Sequence, residues 1–365
     1  MKKCCLLLSK SIFKLRANEC EGVALPPSAD AEMANDIGDN AMKKSLLGAL
    51  PLAAAAMALC PTTAGATDYP TKPIRIVVPF ATGGGTSNAA RIIGEKLTER
   101  WGQPVVIDNR PGGNTVIGAE HVAKSPADGY TLFFANSSFA INPGLMPKLP
   151  YDSGRDFTPV ATLLVNNFVM LAHPSVPARN LSELIGVIKA KPDDHPYPTV
   201  GAAGIGRVAS EMFNARIGQQ LVNIPYKGTS QLATDLMGGQ VKYALEIPAV
   251  YIPQIKAGKV RALAVTGTHR MAALPDVPTF AEAGLPDFNV QSWYGLLAPA
   301  ATPKPVIEKL SAAIQDILKA PDVRRRFEAI EAEPLVGGPT EFAALIKKDT
   351  ESFAKVIKAA KIEAP

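Results

Sequence analysis

From Tyr69 onward the chain alternates short, β-rich apolar runs with longer stretches in which apolar residues recur every three or four positions. Residues 74–80 form an unbroken apolar run apart from Arg75, the pattern of a parallel strand buried on both faces. Ala89, Ile92, Ile93 and Leu97 then recur at helical spacing, and Gly102 marks the stop. Residues 105–107 and 131–134 are the next strands, separated by a helix through Ile117, His121 and Val122. Asn180 with Glu183 predicts a capped helix over 184–189. Residues 221–225, 241–247 and 261–265 read as strands with helices between them, and helical patterns over 306–319, 323–332 and 341–360 close the chain. Repeated βα units predict an α/β fold with mainly parallel sheets covered on both faces. This length exceeds what one sheet takes, so two domains are expected. No stretch resembles a flexible linker. The boundary is therefore read as two chain crossings, outward within 160–172 and back within 290–297. That assigns 67–167 with 292–365 to the first domain and 168–291 to the second.

The N-terminal part carries a different pattern. Met42-Lys43-Lys44 precedes an apolar run over 46–59, followed by Ala64-Gly65-Ala66: a positive start, a short apolar stretch and a small-residue end, as in a secretory signal peptide over 42–66 cleaved after Ala66. The run is short of the ~20 residues that a membrane span needs. Cys60 admits a lipoprotein start, but the bulky Leu59 before it argues against one. Residues 1–41 then read as an upstream extension ahead of a start at Met42. All four cysteines (Cys4, Cys5, Cys20 and Cys60) precede Ala66, which leaves none downstream for a disulfide, a thiolate metal site or a cysteine nucleophile.

Composition narrows the chemistry. A net charge of +5 without a clustered basic stripe offers no nucleic-acid interface; Arg324-Arg325-Arg326 lies in a helical pattern and reads as a solvated face. His121, His173, His195 and His269 are scattered without metal-ligand spacing, and no Gly-x-Ser-x-Gly nucleophile turn occurs. An α/β hydrolase or transferase would need a nucleophile–base pair that the sequence does not provide. No cofactor is expected.

What remains are glycine turns between strands and helices. In Phe80-Ala81-Thr82-Gly83-Gly84-Gly85-Thr86-Ser87, three glycines let the backbone approach a ligand, Thr86 or Ser87 can cap the helix, and free N–H groups point toward an anion. It is neither a phosphate-binding loop nor a dinucleotide fingerprint, because both spacings fail. A second turn runs from Asn109 through Gly112 and Gly113 to Thr115, and a third spans Gly201, Ala202, Ala203, Gly204 and Gly206 to Arg207. Asn136, Ser137 and Ser138 follow another strand on the same edge. Alone, each reads equally as a tight turn; together they predict one ligand cleft outside the carboxyl ends of the strands. Arg207 and Lys227 are candidate counter-charges for an anion, and Glu246, ending an apolar strand, is a candidate hydrogen-bonding carboxylate.

Many ordered segments resemble the Bug-type, or tripartite tricarboxylate transporter, substrate-binding proteins. They include 69–80, Asn109-Arg110-Pro111-Gly112, Asp128-Gly129-Tyr130-Thr131-Leu132, Ile141-Asn142-Pro143, Leu149-Pro150-Tyr151-Asp152 and Pro225-Tyr226-Lys227-Gly228. Residues 261–265, 274–279, Glu282-Ala283-Gly284 and Trp293-Tyr294-Gly295 extend the resemblance almost to the C-terminus. It implies a periplasmic, monomeric binding protein of the type II kind, whose two α/β domains close on a small organic acid. The acid would be held by backbone amides and delivered to membrane permease subunits, or presented to a sensor protein. Thr82 stands where the family has proline and Ser87 where it has aspartate, which makes an amino-acid ligand less expected and favours a dicarboxylate or aromatic acid.

Overall fold

The computed structural model describes residues 68–364 apart from Gly84; the upstream extension, the signal peptide and its cleavage site lie outside the described residues. β1 (Ile74–Val78) leads into α1 (Gly85–Trp101), β2 (Val105–Asn109), α2 (Val116–Ala123), β3 (Thr131–Asn136), α3 (Ser138–Leu145) and the long β4 (Phe157–Asn167). After Phe168 come β5 (Val169–Ala172), α4 (Leu181–Ala190), β6 (Tyr197–Val200), α5 (Ile205–Ile217), β7 (Asn223–Tyr226), α6 (Thr229–Met237), β8 (Tyr243–Glu246), α7 (Ile252–Lys256) and β9 (Arg261–Val265). The chain ends with β10 (Gln291–Pro299), α8 (Lys304–Lys319), α9 (Pro321–Glu328), β11 (Glu333–Pro334) and α10 (Pro339–Ala359).

Two groups of sheets result. The first lobe holds a six-stranded sheet in the order β11-β4-β10-β3-β1-β2, and the second holds a three-stranded sheet β8-β5-β9 and a parallel pair β6-β7. Strand directions are more mixed than a βα repeat implies. β1 is parallel to β2 and β3, whereas β10 is antiparallel to both β3 and β4, and β5 is antiparallel to β8 and β9. The reason is the route of the chain. A helical crossover returns the next strand parallel, but β4 leaves the first lobe and β10 comes back beside it with no helix to reverse the direction.

Burial on both faces is what the sequence pattern demands. Ile74, Ile76 and Val78 of β1 pack with α1, α8 and α9 on one face, while Val77 joins α2, α3 and α10 on the other. In the second lobe, Met170 and Ala172 of β5 face α4 and α5, and Val169 and Leu171 face α6. Asn180 caps α4 as its spacing predicts, accepting from the Glu183 amide at 2.9 Å. The helical pattern over 323–332 ends sooner than expected, at Glu328, because Glu331 takes a left-handed backbone (φ 54°) that turns the chain into β11 against β4.

Arg261 staples a loop of the second lobe. Its guanidinium donates to the carbonyls of Pro174 (2.8 Å), Val176 (3.0 Å) and Ala178 (2.7 Å). Arg261→Met keeps the apolar stem but leaves three carbonyls short of a donor, so a loss of about 3 kcal/mol is expected in urea unfolding. A loss under about 0.5 kcal/mol would reject this role.

Candidate functional site

The first-lobe wall forms where β1, β2 and β3 end and α1, α2 and α3 begin. Thr82, Gly83 and Gly85 are exposed, Gly83 has a left-handed φ of 93°, and a side chain at either glycine would meet open space. Phe80 and Thr86 are partly buried at the two ends of the turn, and Gly84 lies outside the described residues. Ser87 is fully buried instead of standing on the open wall. Its Oγ accepts from Nδ2 of Asn109 (3.3 Å), which also donates to the Phe80 carbonyl (2.8 Å), so the last residue of β2 braces the glycine turn.

The neighbouring turns are braced in the same way. Asn114 and Thr115 adopt left-handed φ values of 50° and 77°. Asn114 Nδ2 donates to Asn142 Oδ1 (2.7 Å), and Asn142 Nδ2 returns a bond to the Asn114 carbonyl (2.9 Å). Ser137 Oγ accepts from the Trp293 amide (3.0 Å), which ties the start of α3 to β10. Asn136 is buried, with Nδ2 3.5 Å from Ser138 Oγ and with Oδ1 lacking a partner. Asn109 and Asn142 brace the turns through side-chain bonds that the sequence pattern does not reveal. Their signal lay in the motifs that contain them, Asn109-Arg110-Pro111-Gly112 and Ile141-Asn142-Pro143.

The second-lobe wall is the turn from Val200 to Gly206. Gly201 and Gly204 take φ values of 81° and 136°, Ala202 is exposed, Ala203 is partly buried, and α5 starts after Gly204 without a side-chain cap. Arg207 is not an open counter-charge. Its guanidinium pairs with Glu211 one helical turn on (2.8 Å) and lies 5.4 Å from the Tyr197 ring centroid, while Tyr197 itself bonds Glu211. Lys227 is exposed. Glu246 is brought beneath the turn: it is 6% exposed, its Oε1 lies 3.9 Å from the position of a side chain at Gly206, and its carboxyl is pushed up to about 7 by burial.

Whereas the first amide of α2, Val116, already donates to the Gly113 carbonyl, α3 and α5 begin without a side-chain cap. Their first N–H groups and the helix dipoles leave positive potential at the strand ends, which suits a carboxylate. α5 also lies at the lobe boundary, because Val208 belongs to the apolar cluster of Trp293 and Phe342, and Ala203 and Ile205 pack against that cluster. The arrangement can hold an anion; among the described residues it assembles no nucleophile–base pair.

Residues 89–362 match the tripartite tricarboxylate transporter family receptor. The chain belongs to this family. Its members are periplasmic solute-binding proteins rather than enzymes. BugT of Bordetella pertussis is 34% identical over 295 residues, covering 80% of this chain and 90% of BugT. A Rhodopseudomonas palustris protein with adipate is 32% identical at TM-score 0.69, covering 81% of this chain and 99% of its own. MatC of the same organism with bound malate is also 32% identical, at TM-score 0.65, covering 79% and 100%. The α/β fold expected from the βα pattern, and the binding-protein type implied by the resemblance, are thus shared with solved relatives over about four fifths of this chain.

Proposed function

We propose that this receptor captures a small carboxylate, a dicarboxylate or aromatic acid, between its lobes and delivers it to the membrane subunits of a tripartite transporter. The lobes comprise 67–167 with 292–365 and 168–291, joined by two crossings around which they close. The observation that carries the reading is the set of glycine turns at the strand ends of both lobes with the uncapped starts of α3 and α5, an arrangement that offers amide donors to an anion from two sides. The adipate and malate complexes of the two R. palustris relatives support the ligand class. The site residues are Phe80, Thr82, Gly83, Gly84, Gly85 and Thr86 with Asn136 and Ser138 on one wall, and Ala202, Ala203 and Gly204 on the other. Ser87, Ser137 and Glu246 lie behind these surfaces, and Arg207 shapes the second wall through Glu211 without contacting the ligand. The protein acts in the periplasm after cleavage behind Ala66, and turns over no substrate.

A thermal-shift screen tests the reading. Adipate, malate or benzoate at about 100 times its Kd stabilises the folded state by about 2.7 kcal/mol, a rise of about 5 °C for a chain of this size. Stabilisation by uncharged sugars but by no organic acid would reject it.

A further inference from the structure

Glu246 is a puzzle in a site built for anions. A carboxyl at the end of β8 is sealed under the turn that begins α5, where a ligand carboxylate would also be drawn. The contact is close: Oε1 lies 3.9 Å from the position a side chain at Gly206 would occupy, and the backbone of Val200, at the other end of the turn, favours the ionised carboxyl slightly against the larger effect of burial. Val200 closes β6 and Gly206 is the second residue of α5, so Glu246 touches both sides of the loop that carries Ala202, Ala203 and Gly204.

Among the described residues no cation is paired with Glu246. β5, opposite β8, is the apolar segment Val169–Ala172. From α5, Arg207 is engaged by Glu211. From β6 the titratable side chain is Tyr197, also engaged by Glu211, and β8 itself adds Tyr243, whose hydroxyl donates to the His195 carbonyl at 3.2 Å. From the segment after β8 comes Tyr251, which is fully buried, has a hydroxyl without a partner and feels the Glu246 charge. Beyond β7, Lys227 is exposed and Tyr226 donates to Asp235.

An ionised Glu246 therefore acts as a built-in anion at the same helix start that the ligand needs. Two carboxylates served by one helix N-terminus repel, and the buried one relieves the repulsion by taking a proton. Resting on the carboxylate-binding reading above, we propose that Glu246 is the proton-linked specificity residue of this receptor: an organic anion binds tightly when Glu246 is neutral, so capture takes up a proton.

The free carboxyl sits at about 7. A group raised in this way is protonated below that value and ionised above it, so affinity is full on the acid side and falls as pH rises. Ligand carboxyls ionise near pH 4 and contribute no slope above about pH 6.5.

Isothermal titration calorimetry of the wild-type receptor and Glu246→Gln with malate and adipate tests this, in two buffers of different ionisation enthalpy. For the wild type, Kd is expected to weaken roughly 25-fold between about pH 6.5 and 8.5, with nearly one proton taken up per ligand at about pH 8. Glu246→Gln is expected to bind with the same Kd across the range and with no buffer-dependent enthalpy. A wild-type Kd that stays flat, or binding with no proton uptake, overturns the proposal while leaving carboxylate capture standing. A slope that survives in a folded Glu246→Gln overturns it too. If neither acid binds either protein at about pH 6.5, the carboxylate reading fails and this inference falls with it. Buffer-dependent enthalpies of the wild type decide the matter even if the variant does not fold.

Discussion

Gly295→Val is expected to lower the stability of the receptor by more than about 4 kcal/mol, enough to lower Tm by about 7 °C or more. Gly295 lies in β10, between β3 and β4, at a shift in the β10–β4 register. A Cβ there would stand 2.3 Å from Cζ and 2.5 Å from Cε1 of Phe342, and 2.8 Å from the Ala161 carbonyl oxygen. Phe342 is fully buried and edge-on to Trp293, so its ring cannot swing away without opening that core. The backbone oxygen cannot move without bending β4. Gly186→Ala is the matched control: it lies at an exposed position of α4 with open space around it and is expected to be neutral or to stabilise by up to about 1 kcal/mol. Urea melts of the two variants read the difference directly, and a Gly295→Val protein within about 1 kcal/mol of wild type would show that the β10 core repacks freely.

The second large effect falls on binding and leaves the fold intact. Gly85 is the first residue of α1, exposed, with nothing near the position of a side chain. Aspartate there fits without a clash and sits well at a helix start, so the melting temperature should hold or rise slightly. The same carboxylate would occupy the positive end of α1 and repel an incoming organic acid. Affinity for malate or adipate should drop by about 100-fold, an electrostatic cost of about 2.7 kcal/mol in a partly shielded site. Gly85→Asn, neutral and of the same shape, separates charge from bulk: binding lost equally in both variants would mean that space, not charge, governs this wall. Unchanged affinity in Gly85→Asp would remove the first glycine turn from the site.

Much of this architecture could be read along the chain, and the reasons are specific. β9 was legible at its full length, Arg261–Val265, because a short apolar run follows a glycine–lysine turn. α4 was legible from its cap, since Asn180 and Glu183 act within one turn of backbone. What escaped depends on partners distant in sequence. α3 contains Pro143 and Gly144, which argue against a helix locally. It forms because it packs on α10, so closely that a Cβ at Gly144 would be 3.2 Å from Ala354 Cα. β6 escaped because Tyr197-Pro198-Thr199-Val200 is short and broken by a proline, and it becomes a strand through its pairing with β7.

At the site, the turns themselves were legible as glycine clusters between periodic segments, but the supports of those turns were not. Asn109 and Asn142 act across 22 to 29 residues of chain, a separation at which spacing carries no signal. Arg207 illustrates the opposite failure. As a candidate counter-charge it is open to the ligand in sequence terms, whereas in the fold it pairs with Glu211 and lies by the Tyr197 ring, which another element supplies.

The route of the chain through Asn167 and Gln291 has a consequence for how such a receptor can be rebuilt. These residues are register partners on adjacent antiparallel strands, and their side chains bond at 2.6 Å. Topologically, residues 168–290 stand where a hairpin would have its turn. The second lobe is thus an insertion in a continuous six-stranded domain, and exchanging it at that single seam rethreads no strand of the host sheet. An exchanged segment would have to keep the apolar face of α5, because Val208 belongs to the cluster of Trp293 and Phe342 and Ala203 and Ile205 pack against it.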